Sequence, residues 1–71
     1  MDITEEYYLS FIRNSANKKH WRVRNYVRYI NELISGYRFL ALEKKGAISL
    51  YCNRSANILE KNLREALGGT R

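Results

Sequence analysis

The sequence has one cysteine, one histidine and no proline among 71 residues, and each shortage removes a class of protein. Cys52 alone cannot form an internal disulfide, and with no second thiol it cannot found a zinc site, so neither covalent staple nor metal supports the core. No apolar run approaches the roughly 18 to 20 residues that cross a bilayer. The first residues, Met1-Asp2-Ile3-Thr4-Glu5-Glu6, are acidic where a secretory signal is basic and then apolar, which points to a cytoplasmic protein without membrane attachment. With no proline, repeat or low-complexity tract, nothing marks a linker, and a core needs on the order of 50 residues, so the expectation is one small domain over residues 1–71. What is present is apolar enough to fold: 45% hydrophobic and 13% aromatic residues exceed what a disordered tail carries. Stability then rests on packing, with help from a second subunit as the natural supplement at this size.

The net charge of +6 is unevenly placed. Between Glu6 and Glu32 there is no acidic residue, whereas Arg13, Lys18, Lys19, Arg22, Arg24 and Arg28 supply six positive charges. The remainder carries seven of each sign, so the entire net charge belongs to residues 7–31. Such a block concentrates anions around itself and is the electrostatic footprint of a nucleic-acid binder. The competing reading is a solvated face that serves solubility.

Asp2 and Glu5 have the spacing of a capping box, which starts a first helix with Ile3, Tyr7 and Phe11 on one side and Tyr8 and Ile12 widening the stripe. Asn14, Ser15 and Asn17 are turn and cap residues, with Asn17 the preferred N-cap of a second helix. In that helix Val23, Tyr26, Val27, Ile30, Leu33, Ile34 and Tyr37 follow one face at about 100° per residue. Gly36 is placed to stop it near Ser35. From Tyr37 to Asn53 the pattern predicts a β-hairpin: Phe39, Leu42, Ile48, Leu50 and Tyr51 suit a pleated surface, Leu40, Leu42, Ile48, Leu50 and Cys52 alternate, and Gly46 supplies the positive φ of the loop. The rival reading extends the second helix through Ala41, because Leu33, Tyr37 and Ala41 stay four apart and Ala, Leu, Glu and Lys favour helix. Ser55 is a natural N-cap for a last helix striped by Ala56, Leu59, Leu63, Ala66 and Leu67 and closed by Gly68-Gly69, with Thr70 and Arg71 frayed. The expected class is thus α+β, helix-helix-hairpin-helix, with an all-α three-helix bundle as the alternative.

On a helical wheel the polar face of the second helix holds Lys18, Trp21, Arg24, Asn25 and Arg28, with Glu32 at the far end. Indole stacks on bases, and the guanidinium fork matches phosphate oxygens or guanine acceptors. Arg22 and Tyr29 flank that face and suit backbone contacts, and Lys19 adds charge at its start. Trp21 folded back onto the core is the structural alternative. The element order has the outline of a winged helix-turn-helix with Lys44 and Lys45 at the wing tip, although the turn at residues 14–17 lacks the glycine such corners often use.

Catalysis has little to stand on. His20 lies in the basic segment and reads as a phosphate-holding residue, Cys52 reads as a small core residue, and the acids are dispersed. The four glycines match no phosphate-binding spacing, and no cofactor is indicated. The expectation is a non-enzymatic regulatory or accessory protein that binds nucleic acid, DNA over RNA, through Lys18, Lys19, Trp21, Arg22, Arg24, Asn25 and Arg28. Its size suits the compact accessory proteins of phages and other mobile elements. The alternative is an adaptor or inhibitor that docks on another protein through its aromatic and basic surface, since the chain has six tyrosines and Tyr7, Tyr8, Tyr51 and Ile58 exceed what so small a core hides. A homodimer formed by edge pairing of two hairpins would extend the marginal two-stranded sheet.

Overall fold

The computed structural model describes residues 3–68. Three helices follow one another, α1 (Ile3–Asn14), α2 (Trp21–Glu43) and α3 (Ala47–Ala66), and there is no strand among the described residues. The expected hairpin over residues 37–53 is therefore corrected to the end of one helix, a tight turn and the start of the next, and the fold is an all-α bundle. The winged outline and the dimer built by strand pairing fall with it.

The reason lies in what Gly36 does. It keeps a negative φ inside α2, and a Cβ built there would meet nothing within 4 Å, so it costs the helix only about 1 kcal/mol relative to alanine. Burial of Ile30, Ile34 and Ala41 on one face outweighs that loss and carries the helix on to Glu43. The stop comes later. Lys44 takes an extended conformation, its N–H still donating to the Leu40 carbonyl at 2.9 Å, and Gly46 turns the chain at φ 69° and ψ −140°. The Ser49 hydroxyl donates to the Ala41 carbonyl at 2.7 Å and ties the two helix ends together. Gly46 thus has the positive φ that the sequence asks for, in a helix-helix turn instead of a strand loop.

That conformation is one only glycine adopts without strain. Gly46→Ala is expected to lower stability by about 1–3 kcal/mol, read as a reduced urea midpoint with unchanged slope. Since nothing lies near the added methyl, the loss is a backbone effect, and an unchanged midpoint would show that the turn has another geometry.

Arg38 of α2 donates to Glu60 and Asn57 of α3, which fixes these two helices as an antiparallel pair. The core between them and α1 consists of Leu9, Ile12, Val23, Ile30, Ile34, Ala56, Leu59, Leu63 and Ala66. The predicted stripes of α2 and α3 hold: Tyr26, Val27, Leu33 and Tyr37 pack partly buried against this core, while Leu67 lies at its margin. Ser55, however, sits inside α3 and caps nothing.

On α1 the expected stripe is rotated. Ile3 and Tyr7 are exposed, and Glu5, Leu9 and Ile12 are the buried residues. The rotation follows from an aromatic seam with α2: Tyr8 stacks on Tyr26 at 4.3 Å and meets Tyr29 edge-on at 4.8 Å, and Phe11 meets Tyr26 edge-on at 5.0 Å. Desolvation, and next the neighbouring Tyr7 hydroxyl, hold the Tyr26 phenol above its ordinary value. Glu5 accepts from the Tyr37 hydroxyl at 3.5 Å. Asp2 of the expected capping box, Gly69 of the closing pair, and the expected frayed end at Thr70 and Arg71 lie outside the described residues. Gly68 does close α3, at φ 96° with its N–H donating to the Glu65 carbonyl. Among the described residues, no helix is long and apolar enough to cross a membrane.

Candidate nucleic-acid interface

The turn between α1 and α2 determines which basic residues remain free. Its Asn17 does not cap α2; its side chain accepts from the Lys19 N–H at 3.0 Å and its carbonyl from the His20 N–H at 3.2 Å. The helix starts four residues later, where His20 is the N-cap and its Nδ1 accepts from the Arg22 N–H at 3.1 Å. The basic segment is thereby split. Lys18 folds back beneath α1, and its Nζ donates to the carbonyls of Ile12, of Arg13 at 3.1 Å and of Ser15 at 2.9 Å. A lysine there satisfies orphan carbonyls and meets the negative end of the helix dipole, so Lys18 is chiefly a C-terminal cap of α1.

From Trp21 onward the side chains are set by helical spacing. Trp21, Arg24, Asn25 and Arg28 stand at i, i+3, i+4 and i+7, share one face, and are all exposed. Trp21 is 59% exposed and is not folded into the core. His20 lies against one side of it at 5.6 Å between ring centres, and the Arg22 guanidinium lies 5.2 Å from its ring. The same guanidinium is 5.8 Å from the Phe11 ring, so Arg22 bridges the aromatic seam and the exposed indole with its charge outward. Lys19 is exposed beside them.

Arg24 and Arg28 also form one rim of an open groove of about 600 Å³ that Lys18 lines with them, with Val27 and Leu67 as apolar lining and Asn31, Glu32 and Ser35 continuing it along α2. The spacing of Arg24, Arg28, Asn31 and Ser35 is that of one helical row, and so this wall is visible in the sequence. Leu67 comes from the far end of α3 and has no signal beyond its place in an apolar stripe.

The ion pairs among the described residues are Arg38 with Glu60 and Arg64 with Glu60. None involves Lys19, Arg22, Arg24 or Arg28, which leaves their charges uncompensated by an acid at contact distance. Of the seven nominated residues, the structure brings Trp21, Arg22, Arg24, Asn25 and Arg28 to adjoining parts of α2, sets Lys19 at the edge, and places Lys18 along the groove of Arg24 and Arg28 with its amine on the carbonyls that end α1. The two nucleophile or acid-base candidates are likewise occupied or hidden: His20 spends its Nδ1 on the helix start, and Cys52 is buried. No group of three His, Cys, Asp or Glu side chains is placed to hold a metal among the described residues.

No protein-family model matches the chain, and no curated protein or solved structure matches it either.

Proposed function

We propose that this protein binds nucleic acid, duplex DNA in preference to RNA, through the first half of α2, as a non-enzymatic regulatory or accessory factor. The observation that carries the reading is one exposed helical face on which Trp21, Arg24, Asn25 and Arg28 stand together with no acid paired to the arginines. Exposed, unpaired guanidinium groups are free to neutralise phosphates, and both the fork of Arg24 or Arg28 and the amide of Asn25 match base edges in a major groove. The exposed N-terminal half of a helix backed by a bundle is the usual way a small domain presents such side chains. Arg22 and Lys19 supply flanking phosphate contacts, and Trp21 supplies an apolar or stacking contact at the margin.

Trp21 is the only tryptophan, so its fluorescence reports on this face. Titration with a mixed-sequence duplex and with single-stranded RNA, each at two salt concentrations, is expected to show salt-sensitive micromolar or tighter binding, stronger for the duplex. Stronger binding to the RNA would transfer the function to single strands. Absence of binding to both at low salt would overturn the reading and turn attention to a protein partner for the same face.

A further inference from the structure

At 1.5 Å per residue, α1 is about 18 Å long and α2 about 34 Å, so the third helix of the bundle covers only part of the α2–α3 pair. Its seat can be traced on both helices. On α2, Tyr26, Tyr29 and Tyr37 meet α1 side chains, and the same helical row continues past the start of α1 as Leu40. On α3, Asn62 shares a hollow with Glu6, Leu9, Ser10 and Arg13 of α1, and its row continues through Ile58, Ser55, Tyr51 and Ile48. Between the rows lie buried Ala41 and Cys52. Beside and beyond the first turn of α1 the seat is therefore a ledge with apolar walls, and no segment among the described residues occupies it.

The exposure of those walls is large: Leu40 41%, Ile48 58%, Tyr51 65% and Ile58 48%. Together they leave on the order of 400 Å² of side chain in water, as large as the main apolar patch of a typical monomer. If about 60% of an interface is apolar, as in oligomers, a patch of this size corresponds to about 650 Å² per partner and about 1,300 Å² in total, within the range of specific interfaces.

We infer that the ledge is filled by a second copy of this chain, with the two uncovered hairpin ends laid side by side in opposite directions about a two-fold axis. The uncovered part of α2, from Arg38 to Glu43, is about 9 Å long, so this overlap brings the tip of each copy to the first turn of α1 in the other. The tip carries exposed Glu43, Lys44 and Lys45, a net charge of one positive, and that first turn carries exposed Glu6. An antiparallel overlap joins ends of opposite net charge, whereas tips meeting head-on would oppose two net-positive ends. The basic face of α2 lies at the other end of each copy and stays accessible, so the association stands or falls independently of nucleic-acid binding.

Sedimentation equilibrium of the full chain is expected to give twice the 8.4 kDa chain mass at tens of micromolar. Tyr51→Lys is expected to weaken association at least ~100-fold, with an unchanged helical circular dichroism spectrum because Tyr51 is exposed. Leu42→Lys, about 160° round α2 from Leu40, is expected to leave the dimer intact. Glu6→Lys and Lys45→Glu should each weaken it severalfold, and the two together should restore it, a recovery that misfolding cannot produce. A monomer at all concentrations, dissociation by Leu42→Lys in place of Tyr51→Lys, or a double exchange that fails to restore association would each overturn the inference.

Discussion

Leu59→Ala is expected to remove about 2–5 kcal/mol of stability, the range for a fully buried leucine whose cavity cannot close. Leu59 is 1% exposed and belongs to the cluster that includes Ile12 of α1 and Ile30 of α2. The cavity would open where three helices meet, and each is anchored by the others. A chain of this length has roughly 4–10 kcal/mol to lose, so the variant should give up a large share of its stability and unfold at a much lower urea concentration. Urea titration followed by circular dichroism measures the loss. Leu42→Ala, on a largely exposed leucine, should stay within about 0.5 kcal/mol of the parent. Equal losses at the two sites would mean that the core is assembled from another face of α3, as would a larger loss at Leu42.

That pair of leucines also shows which parts of the fold were legible and which were not. From Val23 to Tyr37 and from Ala56 to Ala66 each helix is covered along one side, so its apolar residues fall at helical spacing and the pattern gives the element directly. Residues 39–51 are the end of α2, a turn and the start of α3, at the part of the bundle α1 does not reach. There Phe39, Leu40, Leu42, Ile48, Leu50 and Tyr51 are all exposed and spread around both helices. Apolar residues on every side of a helix lose the 3.6-residue signature, and in this stretch they alternate by chance, which is the signature of a strand. Gly36 before the supposed hairpin and Gly46 in its supposed loop completed the misreading, although of these two only Gly46 takes a positive φ. The same physics explains the site. That Trp21, Arg24, Asn25 and Arg28 share one exposed face was legible because it depends only on helical spacing, whereas the capping contacts of Lys18 were not, because they require a chain reversal that brings its Nζ under the end of α1.

The second large effect follows from the proposed contacts of the two arginines and from the capping contacts of Lys18. Neutralising a phosphate releases counterions, and log affinity for duplex DNA falls with log salt at about −0.9 per contact. If Lys19, Arg22, Arg24 and Arg28 make one contact each, the slope is roughly −3.6. Arg24→Ala/Arg28→Ala should then halve it to about −1.8 and cost on the order of 10- to 100-fold in affinity at low salt, with little change in stability because both side chains are exposed and outside the ion pairs. Lys18→Ala should do the reverse. Its amine satisfies carbonyls at the end of α1, so its removal should lower stability by about 1 kcal/mol and leave the slope nearly unchanged. Salt titrations of the three proteins, each checked by urea melting, separate the two roles. A slope that falls by about one for Lys18→Ala while the double arginine variant keeps the parental slope would place the phosphate contacts on the turn between α1 and α2 and remove them from the face of α2.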